Sequence, residues 1–128
     1  MQKTPPQKQL NTFLELYKLK RYEEAEKIAI KITKNFPNFF FGWKALGVIF
    51  KKTGKITKSL AANHKALQIN PNDPETFFNL ANTFKDLNNA EEAIINYKKA
   101  INLKPDYLEV YNNLGIILRE QKKLKESE

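Results

Sequence analysis

Apolar side chains recur along the chain at a fixed interval of 34 residues. The large ones form three sets, which are Trp43, Phe77, Tyr111; Leu46, Leu80, Leu114; and Phe50, Phe84, Leu118. Small residues recur in the same way, as Gly47, Ala81, Gly115 and as Ala25, Ser59, Ala93, Ser127. Prolines follow the same interval at Pro37, Pro71 and Pro105. A fixed period of this length is typical of an array of similar supersecondary units, so the chain is predicted to be a repeat protein.

Within each unit, the apolar positions have the spacing of an α-helix. In the unit that begins at residue 40 they stand at i, i+3, i+4 and i+7, and they are Trp43, Leu46, Gly47 and Phe50. The next two units repeat this spacing. It predicts a first helix whose buried stripe is formed by positions 4, 7, 8 and 11 of the unit.

A second helix in each unit is indicated by a later stripe, most clearly Ala93, Tyr97 and Ala100. Gly54 and the pair Asn88–Asn89 are predicted to separate the two helices, and Asp73 before Pro74 is predicted to be an N-cap. Small residues at positions 8 and 20 would let the two helices of a unit approach closely. Each unit is therefore predicted to be an antiparallel helix pair.

Composition excludes several classes of protein. The chain has 128 residues, of which 41% are hydrophobic, and it has no Cys, which leaves no disulfide or thiolate metal site. No apolar run is long enough to span a bilayer, and the polar residues 1–10 are not a secretory signal. We therefore expect a cytoplasmic protein with no membrane partner.

Catalytic chemistry is poorly represented. The lone His64 is predicted to lie on a helix surface, and Ser59 and Ser127 occupy the small packing position rather than a nucleophile's site. The four glycines are scattered by the repeat and form no phosphate-binding loop. The sequence predicts no enzyme activity, no catalytic residue, no metal site and no cofactor.

These residues resemble the tetratricopeptide repeat (TPR) family, whose pattern is W-x2-L-G-x2-Y, then A-x3-F, then P. The matching residues are Trp43, Leu46, Gly47, Phe50 and Pro71, then Ala93, Tyr97 and Pro105. Ser59 and Asn63 depart from the pattern, as do Gln9 and Thr12 in the first unit. The resemblance implies an all-α fold, a right-handed α-solenoid of antiparallel helix pairs. The resemblance further implies one TPR domain over residues 1–128 with about three and a half repeats. These repeats lie at 6–39, 40–73 and 74–107, with a partial one at 108–128.

The fourth unit is incomplete in this frame. Its first helix is predicted at about 108–121, and its second helix begins only at Leu124. Apolar residues of this unit would then lack a partner helix, namely Leu114, Ile117, Leu118 and Leu124. We expect the chain to be the N-terminal part of a longer protein. The alternative is a homo-oligomer that covers this C-terminal face with a second copy.

The resemblance also implies a concave groove lined by the first helices. The candidate groove residues are Asn11, Phe41, Lys44, Val48, Lys52, Phe78, Asn79, Asn82, Asn112 and Asn113. A clamp for a C-terminal carboxylate, as in some TPR proteins, fits at Lys44 and Asn79 but fails at Val48, Glu109 and Asn113. A ladder of asparagines, as in the superhelix of O-linked N-acetylglucosamine transferases, fits at Asn11, Asn79 and Asn113, although Ala45 interrupts it. Phe41 could form an apolar floor with Val48 and Phe78, and core packing between adjacent units is the alternative that we favour for the aromatic cluster of residues 39–43.

Two functions follow from these features. The first is a protein-interaction module that binds an extended peptide or protein segment, a scaffold or substrate-recruiting part of a larger protein. Its units resemble those of O-linked N-acetylglucosamine transferase-like and bacterial TPR-transferase proteins. The second is nucleic-acid binding, because the net charge is +8 and Lys51, Lys52, Lys55 and Lys58 cluster near one turn. We favour the first function, because a Lys-rich turn is usually a solvated surface and base readout also needs stacking aromatics or base-edge contacts.

Overall fold

The computed structural model describes residues 4–127, and within this range the chain forms seven α-helices and no strand. The all-α fold predicted from the repeat is confirmed. The helices are α1 (Gln7–Lys18), α2 (Tyr22–Asn35), α3 (Phe40–Lys52), α4 (Ile56–Ile69), α5 (Pro74–Asp86), α6 (Ala90–Leu103) and α7 (Leu108–Glu126). They belong to two compact units, Met1–Pro71 with α1 to α4 and Asn72–Glu128 with α5 to α7. From here on, the first and second unit are these two bodies, and the 34-residue units of the sequence are called repeats.

The turns inside the helix pairs share one backbone feature at the 34-residue interval. Lys20, Gly54 and Asn88 have φ angles of 61°, 78° and 60°, which lie in the left-handed region. Glycine adopts this region without a steric penalty and asparagine tolerates it, whereas a lysine there is strained. The predicted breaks at Gly54 and Asn88 are confirmed, and Lys20 is a turn residue that the sequence pattern did not indicate.

Side-chain caps begin both helices of the pair α5 and α6. The Asp73 carboxylate accepts a hydrogen bond of 3.0 Å from the backbone N–H of Thr76, and Pro74 occupies the first turn. Asn89 accepts a hydrogen bond of 3.2 Å from the backbone N–H of Glu92. Each cap satisfies a backbone donor that the helix itself leaves without a partner. The predicted N-cap at Asp73 is confirmed.

Small residues bring α3 and α4 of the first unit close together. The buried Ser59 hydroxyl donates a hydrogen bond of 2.7 Å to the carbonyl oxygen of Gly47 across this pair. A methyl group on Gly47 would lie 2.4 Å from Oδ1 of the buried Asn63. Gly47 therefore leaves room for the Asn63 amide between these two helices, and Ser59 is a packing residue, as predicted.

The buried stripe of the first helices is rotated from the predicted one. In the repeats that begin at residues 40, 74 and 108, position 7 is buried as expected, and position 8 is buried at Gly47 and Ala81 but half-buried at Gly115. Positions 3 and 10 are buried too: Gly42, Thr76, Val110 and Ile49, Thr83, Ile117. At position 11, Phe50 is buried, whereas Leu118 is 46% exposed. Threonine could be missed at these positions because its hydroxyl can bond the preceding turn of its own helix, as Thr83 does with the Asn79 carbonyl.

The aromatic residues at position 4 lie at the rim of the core rather than inside it. Trp43 is half-buried, and its Nε1–H donates a hydrogen bond of 2.8 Å to the carbonyl oxygen of Pro37. Tyr111 is exposed, and its hydroxyl makes the same bond, also 2.8 Å, to Pro105. In each case, the polar group of the aromatic side chain donates to the proline carbonyl six residues upstream and so closes the turn between them. The prediction that Trp43 is a core residue is therefore wrong in part.

The turn predicted in the fourth repeat, which begins at residue 108, is absent. Helix α7 continues from Leu108 to Glu126, through the residues expected to separate two helices. Ser127 is exposed and donates to the carbonyl oxygen of Lys123 instead of packing against a neighbouring helix. Residues 121–126 contain strong helix formers and no glycine or asparagine, so local propensity extends the helix. The prediction of a second helix from Leu124 is wrong for the described residues.

Half of the apolar residues expected to lack a partner are in fact packed. Leu114 and Ile117 are 9% and 3% exposed and belong to the core of the second unit with α6. Leu118 and Leu124 remain 46% and 65% exposed. The expectation therefore holds only for the two residues on the outer side of α7.

A buried carboxylate fastens α2 to the turn between α3 and α4. Glu26 is 8% exposed and accepts hydrogen bonds of 2.6 Å from Lys55 Nζ and 2.7 Å from the Thr53 hydroxyl. Burial by itself raises the pKa of Glu26. The hydrogen bonds from Lys55 and Thr53, with the charges of Lys55 and Lys58, outweigh it and hold the pKa below its ordinary value.

We predict that Gly47→Ala lowers the free energy of unfolding by about 2 kcal/mol, because the new methyl group overlaps the Asn63 amide. The matched control is Gly115→Ala, two repeat intervals later. A methyl group there meets only Arg119 Nη1 at 3.7 Å, so helix propensity should raise stability by about 1 kcal/mol. Urea unfolding measures both. Adding Asn63→Ala should recover most of the loss at Gly47, and no recovery would contradict the proposed overlap.

A second prediction concerns acid. A carboxylate whose pKa is lowered by folding stabilises the fold above its ordinary pKa, near 4.5 for Glu26, and loses that contribution as the pH falls through the lowered value. Glu26→Gln should therefore lower the melting temperature at pH 7. The difference between wild type and variant should shrink steadily below about pH 4.5. A difference that stays constant down to pH 3 would show that the Lys55 contact does not depend on the Glu26 charge.

Candidate functional site

The first helices of the first unit, α1 and α3, present a mixed apolar and basic face. Asn11 is exposed and accepts a hydrogen bond of 3.0 Å from Gln7. Phe41 is 41% exposed, and its ring lies 6.5 Å from that of Phe39. Val48 is half-buried. The predicted residues of this unit are therefore accessible in varying degree, with Phe41 the most exposed apolar one.

Two predicted lysines of this face are placed against aromatic rings. Lys44 Nζ lies 5.8 Å from the ring centroid of Phe40, and Lys52 Nζ lies 5.8 Å from that of Tyr22. Lys44 is half-buried, whereas Lys52 is exposed. Such contacts hold the ammonium groups in defined positions.

In the second unit, Phe78 contributes more to the core than to an open surface. Its ring centroid lies 5.2 Å from that of Tyr107 and 6.2 Å from that of Tyr97, and it packs against the buried cluster of this unit. Phe78 therefore contributes to the core of the second unit, and the apolar floor with Phe41 and Val48 stays a prediction.

Three polar side chains of the second unit converge where α5, α6 and α7 meet. Asn82 on α5 accepts two hydrogen bonds at its Oδ1, one from the Tyr97 hydroxyl and one of 3.0 Å from Nδ2 of Asn113. Tyr97 is fully buried, and both asparagines are half-buried. Sequence reasoning had assigned Asn82 and Asn113 to the groove separately and had not paired them.

The two donors fix the orientation of the asparagine amides. Burial raises the pKa of Tyr97 to about 12, and the negative charge of Asp86 adds to this effect. The hydroxyl is therefore protonated at neutral pH and acts as a donor. Neither hydrogen bond uses the two N–H donors of Asn82 or the carbonyl oxygen of Asn113. The pair can thus offer a donor and an acceptor side by side.

The other predicted asparagines are arranged differently. Asn79 is half-buried, and the hydrogen bond described at this residue is made by its backbone carbonyl, which accepts from Thr83. Asn112 is exposed on α7. Of the three asparagines proposed as a ladder, Asn113 is the one whose amide is tied to a neighbouring helix.

Tyr97 is the site residue that the sequence analysis missed, because it was assigned to the core stripe. The position it occupies holds Ala29 and Asn63 in the two preceding 34-residue repeats. A tyrosine there is long enough to carry a hydroxyl through the core. The signal that could have identified it is the presence of a polar group on the largest side chain at that position.

Other chemistry is not evident among the described residues. From Thr4 to Ser127, no group of three His, Asp or Glu side chains is placed to hold a metal ion. None of the helices in this range combines the length and the apolar character that crossing a bilayer requires. His64 is exposed, as predicted.

We predict that Tyr97→Phe lowers the free energy of unfolding by about 1 kcal/mol, because Asn82 loses a donor inside the core while the ring is kept. Tyr111→Phe is the matched control, since it removes an exposed hydroxyl that bonds to Pro105, and it should change stability by less than about 0.5 kcal/mol. Chemical denaturation measures both. Equal effects would contradict a special role for the buried hydroxyl.

Part of this chain is similar in sequence to a known protein. The mouse (Mus musculus) protein O-mannosyl-transferase TMTC1 is 34% identical over 97 residues, which is 73% of this chain but 10% of that protein. The chain thus spans about a tenth of the length of this relative.

Two solved structures with bound peptides have the same fold. The first TPR of Spaghetti (RPAP3), bound to the HSP90 peptide SRMEEVD, superposes with a TM-score of 0.86 at 19% identity, over 94% of this chain and 98% of that one. The Yersinia enterocolitica type III secretion chaperone SycD, in complex with a peptide of the translocator YopD, superposes with a TM-score of 0.82 at 17% identity, over 93% of each chain. At these identities, the likeness concerns the fold.

The family itself is shown by sequence. The model of the TPR repeat matches residues 47–88 and 81–122, which together exceed half of the chain. The helix pairs, the 34-residue interval and this match agree, and the chain belongs to the TPR repeat family.

Proposed function

We propose that this chain is a protein-interaction module that binds an extended protein segment on the faces of its first helices. The observation that carries the proposal is the amide pair Asn82–Asn113. Asn82 on α5 accepts hydrogen bonds from buried Tyr97 and from Asn113 on α7, and these bonds fix the orientation of both amides. Membership of a repeat family with peptide-bound relatives supports the same function.

The chemistry of the amide pair suits a polypeptide backbone. A backbone peptide group has one N–H donor and one C=O acceptor. The N–H donors of Asn82 can meet the C=O of a bound segment, and the carbonyl oxygen of Asn113 can accept from its N–H. Because the two asparagine amides would contact only the backbone of the bound segment, binding would be independent of the segment's side chains. The fixed amide orientations would favour one direction of the bound chain.

Specificity would then come from other residues of the first-helix faces. In the first unit, the exposed ring of Phe41 can pack an apolar side chain. In the second unit, Asn79 and Asn112 add polar contacts. If the chain is part of a longer protein, as its relation to TMTC1 suggests, this face would recruit partners or substrates for that protein.

A substitution that keeps the fold and changes the amide chemistry tests the proposal. Asn82→Asp retains an oxygen acceptor for Tyr97 and Asn113 but replaces the two N–H donors with a carboxylate. A peptide selected from a random display library on the wild-type chain should bind this variant at least about tenfold more weakly, because its backbone carbonyl would face a negative charge.

The matched control is Asn102→Asp, which makes the same charge change on an exposed part of α6. Isothermal titration should give an affinity within about twofold of wild type for this control. Thermal melting confirms that both variants are folded. Unchanged affinity in folded Asn82→Asp would contradict the assignment of the amide pair to the binding face.

A further inference from the structure

The turns of the two helix pairs in the first unit lie together and are rich in basic residues. Glu26, near the start of α2, binds Lys55 and Thr53 of the α3–α4 turn, and Lys52 lies over the ring of Tyr22 at the start of α2. These contacts place both turns at one end of the unit. We call this surface the basic edge, and its residues are Lys18, Lys20, Arg21, Lys52, Lys55 and Lys58.

Contacts with neighbouring groups hold most of these side chains in place. Lys52 lies over Tyr22, Lys58 Nζ lies 5.9 Å from the ring centroid of Phe50, and Lys55 is bonded to Glu26. A lysine held in this way loses less side-chain freedom when it binds a partner than a fully mobile one does. The basic edge is therefore partly pre-organised for an anionic ligand.

The acidic groups near this edge leave its charge positive. Arg21 is paired with Glu24 at 2.7 Å, and Glu26 is buried beneath Lys55. Glu15 and Glu23 are the other acidic residues of α1 and of the first turn of α2. Over the whole first unit, residues 1–71 contain fourteen basic and four acidic side chains, whereas residues 72–128 contain eight and ten.

Lys20 supplies an independent observation. It adopts a left-handed φ of 61° at a turn position where the other pairs have glycine and asparagine. Its side chain is exposed, so packing does not explain why a strained lysine stands there. Strain at an exposed residue points to a use of its side chain outside the fold.

We propose that the basic edge docks an acidic protein segment that also carries an apolar side chain. Leu19, in the same turn as Lys20, is 58% exposed and offers an aliphatic contact between the lysines. The ring of Tyr22, at this edge, is half-buried beneath Lys52 and is not open for base stacking. The edge therefore favours a protein segment over a single-stranded nucleic acid, which binds through exposed rings. This surface belongs to the first unit, whereas the amide pair of the proposed function belongs to the second.

The probe for this surface is a short fluorescein-labelled peptide of glutamates and leucines. A peptide with glutamine in place of glutamate and an oligothymidine of equal charge are the comparisons. At roughly physiological ionic strength, anisotropy should detect binding of the acidic peptide and not of the glutamine peptide. Failure of the acidic peptide to bind, or equal or tighter binding of oligothymidine, would overturn the proposal.

Matched variants locate the binding. Lys18→Gln, Lys20→Gln and Lys58→Gln together should weaken the acidic peptide about tenfold. Lys27→Gln, Lys31→Gln and Lys34→Gln together remove the same charge from exposed positions of α2 and should change affinity by less than about threefold. Equal losses in the two triple variants would show that net charge alone is responsible. Asn82→Asp should leave the acidic peptide's affinity unchanged, which separates this test from that of the amide pair.

Lys20→Gly distinguishes a binding role of Lys20 from a purely structural one. Removing the left-handed strain should raise the melting temperature by about 4 °C. The same substitution should weaken binding of the acidic peptide about threefold because one charge is lost. A variant that is stabilised yet binds as tightly as wild type would exclude Lys20 from the surface and overturn the argument from strain.

Discussion

The close approach of helices at small residues is the constraint on which each unit depends. Gly47 and Ser59 bring α3 and α4 together, and the Ser59 hydroxyl satisfies the Gly47 carbonyl at their contact. In the second unit, Ala81 and Ala93 occupy the corresponding positions and are fully buried. The short helix-to-helix distance leaves large side chains only a few places to lie. It determines which residues form the core and which remain available on the surface.

The available space differs between repeats, and this difference creates the candidate site. At one position of the second helices, the side chain is Ala29, Asn63 or Tyr97. Asn63 is buried and its Oδ1 lacks a hydrogen-bond partner among the described residues, whereas Tyr97 extends to the amides of Asn82 and Asn113. A repeat that appears uniform in its spacing therefore supports different chemistry in each unit, because one core side chain changes length and polarity.

Much of the fold was predictable from the sequence, since a repeated interval imposes the same local structure several times. Helix pairs, turn positions and the N-cap at Asp73 followed from spacing and from residue type. The extension of α7 did not, because it depends on local helix propensity where the repeat pattern predicts a turn. The burial of Thr76 and Thr83 was also missed, since their hydroxyls are satisfied by neighbours that a hydrophobicity pattern does not include. The site was only partly predictable: Asn82 and Asn113 were identified singly, but their hydrogen bond, with Tyr97 donating to the same oxygen, requires three helices in space.

The measurement that tests the central claim most directly is an NMR map of the side-chain amides. Asn82 and Asn113 give separate Nδ2 resonances, which report on hydrogen bonding at each amide. Addition of a display-selected peptide to isotopically labelled chain should shift the Asn82 resonance most, through a new bond from its N–H groups, with a smaller shift at Asn113 as its carbonyl accepts. Large shifts confined to residues of the second helices, with both amide resonances unmoved, would contradict binding on the first-helix faces.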